Sequence, residues 1–271
     1  MKKASRTVYF VSESTGITAT SLGTSLLSQF PNVEFTHHQK PFINTAEKAK
    51  ELASVFSKDT RESGSKPLVF ATMTDENIND IFERSSCHYY ELFTRYINDI
   101  GNDIGIAATS VSGASHGLIN PKSYDNRMDT VNYALLHDDA ISMKNLNEAD
   151  VILLGVSRSG KTPTCLYLAL QFGIRAANYP LTEDDFLKDD IPQALKDNQD
   201  KLVALTIHPK RLAEIREKRR AGSQYASLAN CRTEINHALE FFNRYNLKVF
   251  DASSSSIEEL STRIIQTMRK T

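Results

Sequence analysis

The chain has 271 residues, 40% of them hydrophobic and 24% charged, enough for one large α/β domain or two modest ones. A formal net charge of -1 supplies no global field for nucleic acid or an anionic membrane, so neither is expected as a partner. The longest apolar runs, such as Val151–Leu154, fall far short of the roughly 20 residues that cross a bilayer. Cys87, Cys165 and Cys231 are widely spaced and odd in number, which argues against a disulfide framework or a zinc site.

The first residues, Met1-Lys-Lys-Ala-Ser-Arg-Thr7, are basic and lead into a strand with no hydrophobic signal region, so a cytoplasmic location is expected. Thr7–Val11 reads as a strand, Ser12–Gly16 as a polar loop, and Ile17 to about Phe30 as a helix. A helix over Ala46–Phe56, a strand over Lys66–Ala71 and a helix near Glu76–Glu83 follow. From about Asn98 to Tyr124, Gly, Ser, Thr and Asn dominate, the composition of a mobile segment or a domain boundary. Tyr124–Leu136 reads as a helix, followed by His137-Asp138-Asp139 and an apolar strand over Ala149–Leu154. Three further strands are expected at Ile174–Asn178, Leu202–Ile207 and Leu247–Asp251, with helices between them. The final helix, Ser256–Arg269, carries Ile257, Leu260, Ile264, Ile265 and Met268 on one face, and Ser256 with Glu259 forms a capping box. The alternation predicts an α/β protein with a mostly parallel sheet. We expect an N-terminal α/β domain over 1–110 and a C-terminal P-loop kinase-like domain over 111–271.

The most informative segment is Gly155-Val156-Ser157-Arg158-Ser159-Gly160-Lys161-Thr162, which fits G-x-x-x-x-G-K-[ST] at every fixed position. A buried strand precedes it, and a helix over Thr164–Phe172, closed by Gly173, follows it. In this setting the N–H groups of residues 155–162 and the positive helix end form a nest for phosphate oxygens. Lys161 would set its charge against the outer phosphates, and Thr162 would offer a hydroxyl to Mg2+. A tight strand-to-helix turn with no ligand is the alternative.

Around the loop, Asp138 and Asp139 are candidates for a catalytic base or a water-mediated Mg2+ contact, or else an ordinary turn. His137 could assist, but a lone histidine at a helix end is more often a structural cap. Strand Leu202–Ile207 ends in His208-Pro209, with no acidic residue where a Walker B aspartate is expected, and this shifts weight onto Asp138 or Asp139. Pro209–Arg220 is strongly basic, and Arg216, Arg219 and Arg220 form either a lid over a phosphate or a solvated face with pairs such as Glu214–Lys218. Val11–Gly16 is a second strand–loop–helix junction, a weak anion site at most, or simple N-capping by Ser14 or Thr15. The residues alone leave open a small-metabolite or nucleoside monophosphate kinase, and a nucleotide-sensing module without turnover.

Several segments together resemble the bacterial phosphoenolpyruvate synthase regulatory proteins, relatives of the pyruvate, phosphate dikinase regulatory proteins. They are Val11–Ala19, Lys66–Phe70, His137–Asp139, Gly155–Thr164, Gln171–Pro180, Arg211–Arg220 and Tyr225–Leu228. Gly160-Lys161-Thr162-Pro-Thr is similar to the synthase branch, whereas the dikinase branch tends to carry Ser at the position of Gly160. Two positions depart from the family pattern: Glu13 stands where Asp is usual, and Ala140 where Gly is usual. The resemblance implies a bifunctional enzyme acting on phosphoenolpyruvate synthase. ADP would phosphorylate a threonine of that partner, leaving AMP, and inorganic phosphate would remove the group as pyrophosphate. Within that reaction Asp138 or Asp139 is the candidate for deprotonating threonine in one direction and phosphate in the other, with Lys161 set against the phosphates; the family suggests a homodimer.

Overall fold

The computed structural model describes residues 4–109, 121–188 and 191–268. The chain divides into two compact units, Met1–Ile119 and Asn120–Thr271. The boundary expected near residue 110 lies outside the described residues. Among those described, no helix is long and apolar enough to cross a membrane.

The first unit runs β1 (Ala4–Ser12), α1 (Ile17–Leu27), β2 (Val33–Lys40), α2 (Ala46–Ser63), β3 (Leu68–Thr72), α3 (Glu76–Glu83), β4 (His88–Glu91) and α4 (Thr94–Ile104). Its strands pair in parallel in the order β2-β1-β3-β4. Alternation along β1 sends Tyr9 and Val11 to a core with Ala49, Leu52 and Phe56 of α2 and Ile78 and Phe82 of α3. Val8 and Phe10 face the opposite side, against Ala19 and Leu27 of α1. Strands β2 and β4 escape the sequence reading because both are edges: β2 is mostly exposed and polar, and β4 is four residues long. Helix α2 runs beyond the expected Phe56 through a polar turn bearing Lys58 and Glu62, 3.8 Å apart, and stops at Gly64 with φ 71°. The expected mobile stretch from Asn98 is helical as far as Ile104, and the rest of it falls largely outside the described residues.

The second unit runs α5 (Pro121–Leu136), β5 (Val151–Gly155), α6 (Lys161–Phe172), β6 (Ala176–Pro180), α7 (Glu183–Lys188), α8 (Gln193–Lys196), β7 (Leu202–Thr206), α9 (Pro209–Glu217), α10 (Leu228–Arg244), β8 (Lys248–Asp251) and α11 (Ile257–Met268). Its strands pair in parallel in the order β6-β5-β7-β8. All five residues of β5 are buried, as a central strand covered on both faces requires. Ile152 and Leu154 join Leu202, Ala204, Leu212, Ile235 and Phe242 on one face. Val151 and Leu153 join Leu168, Val203, Leu205, Leu260 and Ile264 on the other. The capping box of α11 forms both ways: Ser256 N–H donates to Glu259 Oε2 at 3.1 Å, and Glu259 N–H donates to Ser256 Oγ at 3.2 Å.

Both units therefore share one α/β winding. From the first strand the chain steps one way to the second, then back across the first to the third. Such a reversal opens a crevice at the carboxyl ends of the first and third strands. In the second unit that crevice lies between β5 and β7, where the loop from Val156 to Gly160 emerges.

Candidate active site

The loop owes its shape to two glycines and one buried lysine. A Cβ on Gly155 would lie 2.5 Å from the Leu205 carbonyl oxygen and 2.8 Å from Ser159 Oγ, so only glycine lets β5 pass β7 this closely. Val156–Ser159 is a β-turn closed by Ser159 N–H donating to the Val156 carbonyl at 3.3 Å, with Arg158 at φ 73°. Gly160 follows at φ 94° and opens α6 without a side-chain cap. The N–H groups of Arg158, Gly160 and Lys161 donate to no group among the described residues. Unpaired amides at a helix start, in a turn with positive φ, are the kind of group that suits an anion. Ser159 is buried, and its hydroxyl has no hydrogen-bond partner among the described residues.

Lys161 is only 3% exposed. Its Nζ donates to the Val156 carbonyl at 3.0 Å, so the ammonium sits under the loop. Burial pushes the ammonium down to about 8, against the opposing pull of Asp139, Cys165 and Asp138.

On the neighbouring side, a single 3-10 turn over Asp138–Ala140 carries the two acidic candidates. Asp138 Oδ1 accepts from Thr162 Oγ1 at 2.7 Å and from Asn178 Nδ2. The Asn178 Oδ1 in turn accepts from Asp139 N–H at 3.0 Å, and Asn178 N–H donates to the His137 carbonyl at 3.1 Å. One buried amide on β6 thus seats the whole acidic turn beside the start of α6. Asp139 and Ala140 both hold positive φ, 47° and 58°. The turn keeps a glycine-type conformation although Ala140 carries a Cβ, at a cost of about 1–2 kcal/mol. Asp139 is exposed, and its charge is the largest of those favouring protonated Lys161.

His137 faces away from this chemistry. Its Nδ1 and Nε2 lie 2.8 and 2.7 Å from the Tyr133 and Lys144 carbonyls, and its ring stacks on Tyr133 with centroids 3.9 Å apart. It is a buried brace for the acidic turn.

The arginine cluster does not form the converging lid that its spacing allowed. Arg216 is fully buried, while Arg219 and Arg220 lie beyond the end of α9 and are exposed. The Glu214 partner is Arg211, at 3.2 Å. The loop of the first unit is also internally engaged: Glu13 accepts from Thr74 N–H at 2.6 Å, Thr74 Oγ1 at 2.8 Å and Asp75 N–H at 2.8 Å. Glu13 thereby ties the loop after β1 to the loop after β3.

Asn178, Tyr225 and Glu234 near the site carry no role in the sequence reading, although Asn178 and Tyr225 lie in segments that carry the resemblance. Asn178 reads as one polar residue in an apolar strand, a signal that is real but nonspecific. Glu234, which reaches the loop through Arg216, and Tyr225, which also meets Ser157 directly, come from α10 and the turn before it, more than sixty residues downstream of the loop.

The chain is similar to known proteins over nearly its whole length. A family model described as Kinase/pyrophosphorylase matches residues 8–265. A protein of Thiocapsa roseopersicina named "Putative phosphoenolpyruvate synthase regulatory protein" is 48% identical over 264 residues, 97% of each chain. Proteins of the same name from Neisseria meningitidis serogroup C and Azoarcus sp. are each 43% identical, over 96% and 97% of this chain and 96% of their own lengths. With one family model spanning nearly its whole length, the chain belongs to the kinase/pyrophosphorylase family.

Proposed function

We propose that the chain regulates phosphoenolpyruvate synthase by reversible phosphorylation of a threonine. The relatives' name supplies the partner. In the forward direction the threonine oxygen attacks the β-phosphorus of ADP, and the bond to the bridging oxygen breaks to leave AMP. In the reverse direction an oxygen of inorganic phosphate attacks the phosphothreonine phosphorus, releasing threonine and pyrophosphate. Both steps move one phosphoryl group through one cradle, the amides of residues 155–162.

The observation that carries this reading is the meeting of Asp138 and Thr162 at 2.7 Å, directly beside the turn that buries Lys161. Lys161 neutralises the transferring phosphoryl group, and the loop amides hold its oxygens. Asp138 Oδ1 is tethered by Thr162 and Asn178, which fixes the carboxylate while its Oδ2 accepts the proton of the attacking threonine or phosphate. Asp139 adds negative charge that keeps Lys161 protonated. The Thr162 hydroxyl and the Asp138 carboxylate are hard oxygen donors of the kind Mg2+ takes alongside nucleotide phosphates. When bound there, Mg2+ would neutralise charge on the phosphates.

The test mixes the purified chain with phosphoenolpyruvate synthase and ADP labelled in the β-phosphate. The expected result is label on a threonine of the synthase, released as labelled pyrophosphate when inorganic phosphate is added. Labelling from the γ-phosphate of ATP instead, or none with the synthase in either phosphorylation state, rejects the proposal.

A further inference from the structure

Arg216 has none of its surface exposed, and its guanidinium donates to four oxygen acceptors, with Cys231 Sγ a fifth and longer contact at 3.8 Å from Nη1. Nη1 donates to the Tyr225 carbonyl at 3.1 Å and to Glu234 Oε1 at 3.0 Å. Nη2 donates to Glu234 Oε2 at 2.7 Å and to the Ser157 carbonyl at 3.0 Å. The guanidinium carbon lies 4.0 Å above the Tyr225 ring, and the Tyr225 hydroxyl meets Ser157 Oγ at 3.0 Å. Ser157 is thus gripped at both its carbonyl and its hydroxyl.

As a stabilising device this is a poor choice. Replacing a buried ion pair by apolar side chains of similar volume is often neutral or favourable. Here the Nε is also buried with no hydrogen-bond partner among the described residues, which adds a desolvation cost. What the arrangement does provide is direction. A trans peptide is planar, so its carbonyl and the next residue's N–H point opposite ways. With the Ser157 oxygen drawn to Arg216, the Arg158 N–H points away from α9. Arg158 stands at φ 73°, and that N–H is unengaged among the described residues. Were the peptide to rotate, a carbonyl oxygen would face an incoming phosphate and repel it.

We propose that Arg216, locked by Glu234 and Tyr225, is a positioning residue that sets the 157–158 peptide so that the Arg158 amide donates to the bound phosphate. This rests on reading residues 155–162 as the phosphate cradle. A lysine cannot replace it, because one ammonium cannot span Glu234, the Tyr225 carbonyl and the Ser157 carbonyl with a fixed fork.

The test compares wild type, Arg216→Lys and Glu234→Gln by thermal melting, ADP titration calorimetry, and the 15N–1H shifts of the loop amides as ADP is added. In wild type, ADP shifts the amides of Arg158 and Gly160. In both variants, with cooperative melts retained, the ADP Kd rises at least tenfold and the Arg158 response is lost while that of Gly160 persists. A folded Arg216→Lys chain with affinity within twofold of wild type and an intact Arg158 response overturns the proposal. Should Arg216→Lys fail to fold, Glu234→Gln is judged by the same two outcomes; failure of both to fold also overturns it, in favour of a purely architectural role. Wild type that binds ADP with no shift in 156–162 would sink the cradle reading instead, a result distinct from loss of the clamp.

Discussion

Lys161→Met should stabilise the ligand-free chain near neutral pH while abolishing ADP binding. The ammonium is 3% exposed, and burial lowers it from 10.5 to about 8. That difference corresponds to about 3 kcal/mol against keeping the charge in the folded state. Methionine fills a similar volume without charge. It gives up the hydrogen bond to the Val156 carbonyl, worth roughly 1 kcal/mol, but that oxygen keeps a second donor in Ser159 N–H. The net gain at pH 7 is then about 2 kcal/mol. The sign of its pH dependence follows from linkage. Below about 8 the lysine is protonated folded and unfolded, so wild type carries the full penalty. Between about 8 and 10.5 the unfolded chain still binds the proton and the folded chain has lost it, so wild-type stability rises with pH. The advantage of the variant should therefore shrink through that window and nearly close by about pH 10. Paired urea melts at several pH values read this directly, since other titrating groups cancel in the difference. A variant less stable than wild type at pH 7, or a gap that stays flat from pH 7 to 10, would refute the reasoning.

Three other substitutions probe the surroundings. Gly155→Ala drives a Cβ to within 2.5 Å of the Leu205 carbonyl and should cost at least about 2 kcal/mol in urea melts, with ADP affinity falling in parallel. Ala140→Gly relieves a residue held at φ 58°; after the entropy glycine adds to the unfolded chain, a gain of about 0.5–1 kcal/mol is expected, measurable as a raised Tm. Asp138→Asn keeps a partner for Thr162 but removes the base, so single-turnover transfer should slow by about 10²–10⁴-fold while the ADP Kd changes little. A pure affinity loss would reassign Asp138 to metal or structure.

The sequence made the central features legible because they are local. The strand, glycine loop and helix around Lys161 are contiguous, the capping box of α11 spans four residues, and α3 lies where a helix near Glu76–Glu83 is expected. Elements that depend on neighbours were harder. Edge strands β2 and β4 have one pairing partner each and little apolar patterning, so nothing in their own residues marks them as strands. The basic run over Pro209–Arg220 predicted a helix, but periodicity alone could not tell that Arg216 points inward while Arg219 and Arg220 stay in water. Pairings such as Asp138 with Thr162 and Arg216 with Ser157 link residues 24 and 59 positions apart, and only the folded sheet creates them.

The floor under Gly155 is the main chain of Leu205, delivered some fifty residues later in the chain. Parallel strands meet only after long crossovers, and such distant contacts form slowly. During synthesis the residues of the loop therefore emerge well before the strand that gives them their form. A fragment ending ahead of Leu202 holds every residue of the motif and yet lacks the strand that shapes it.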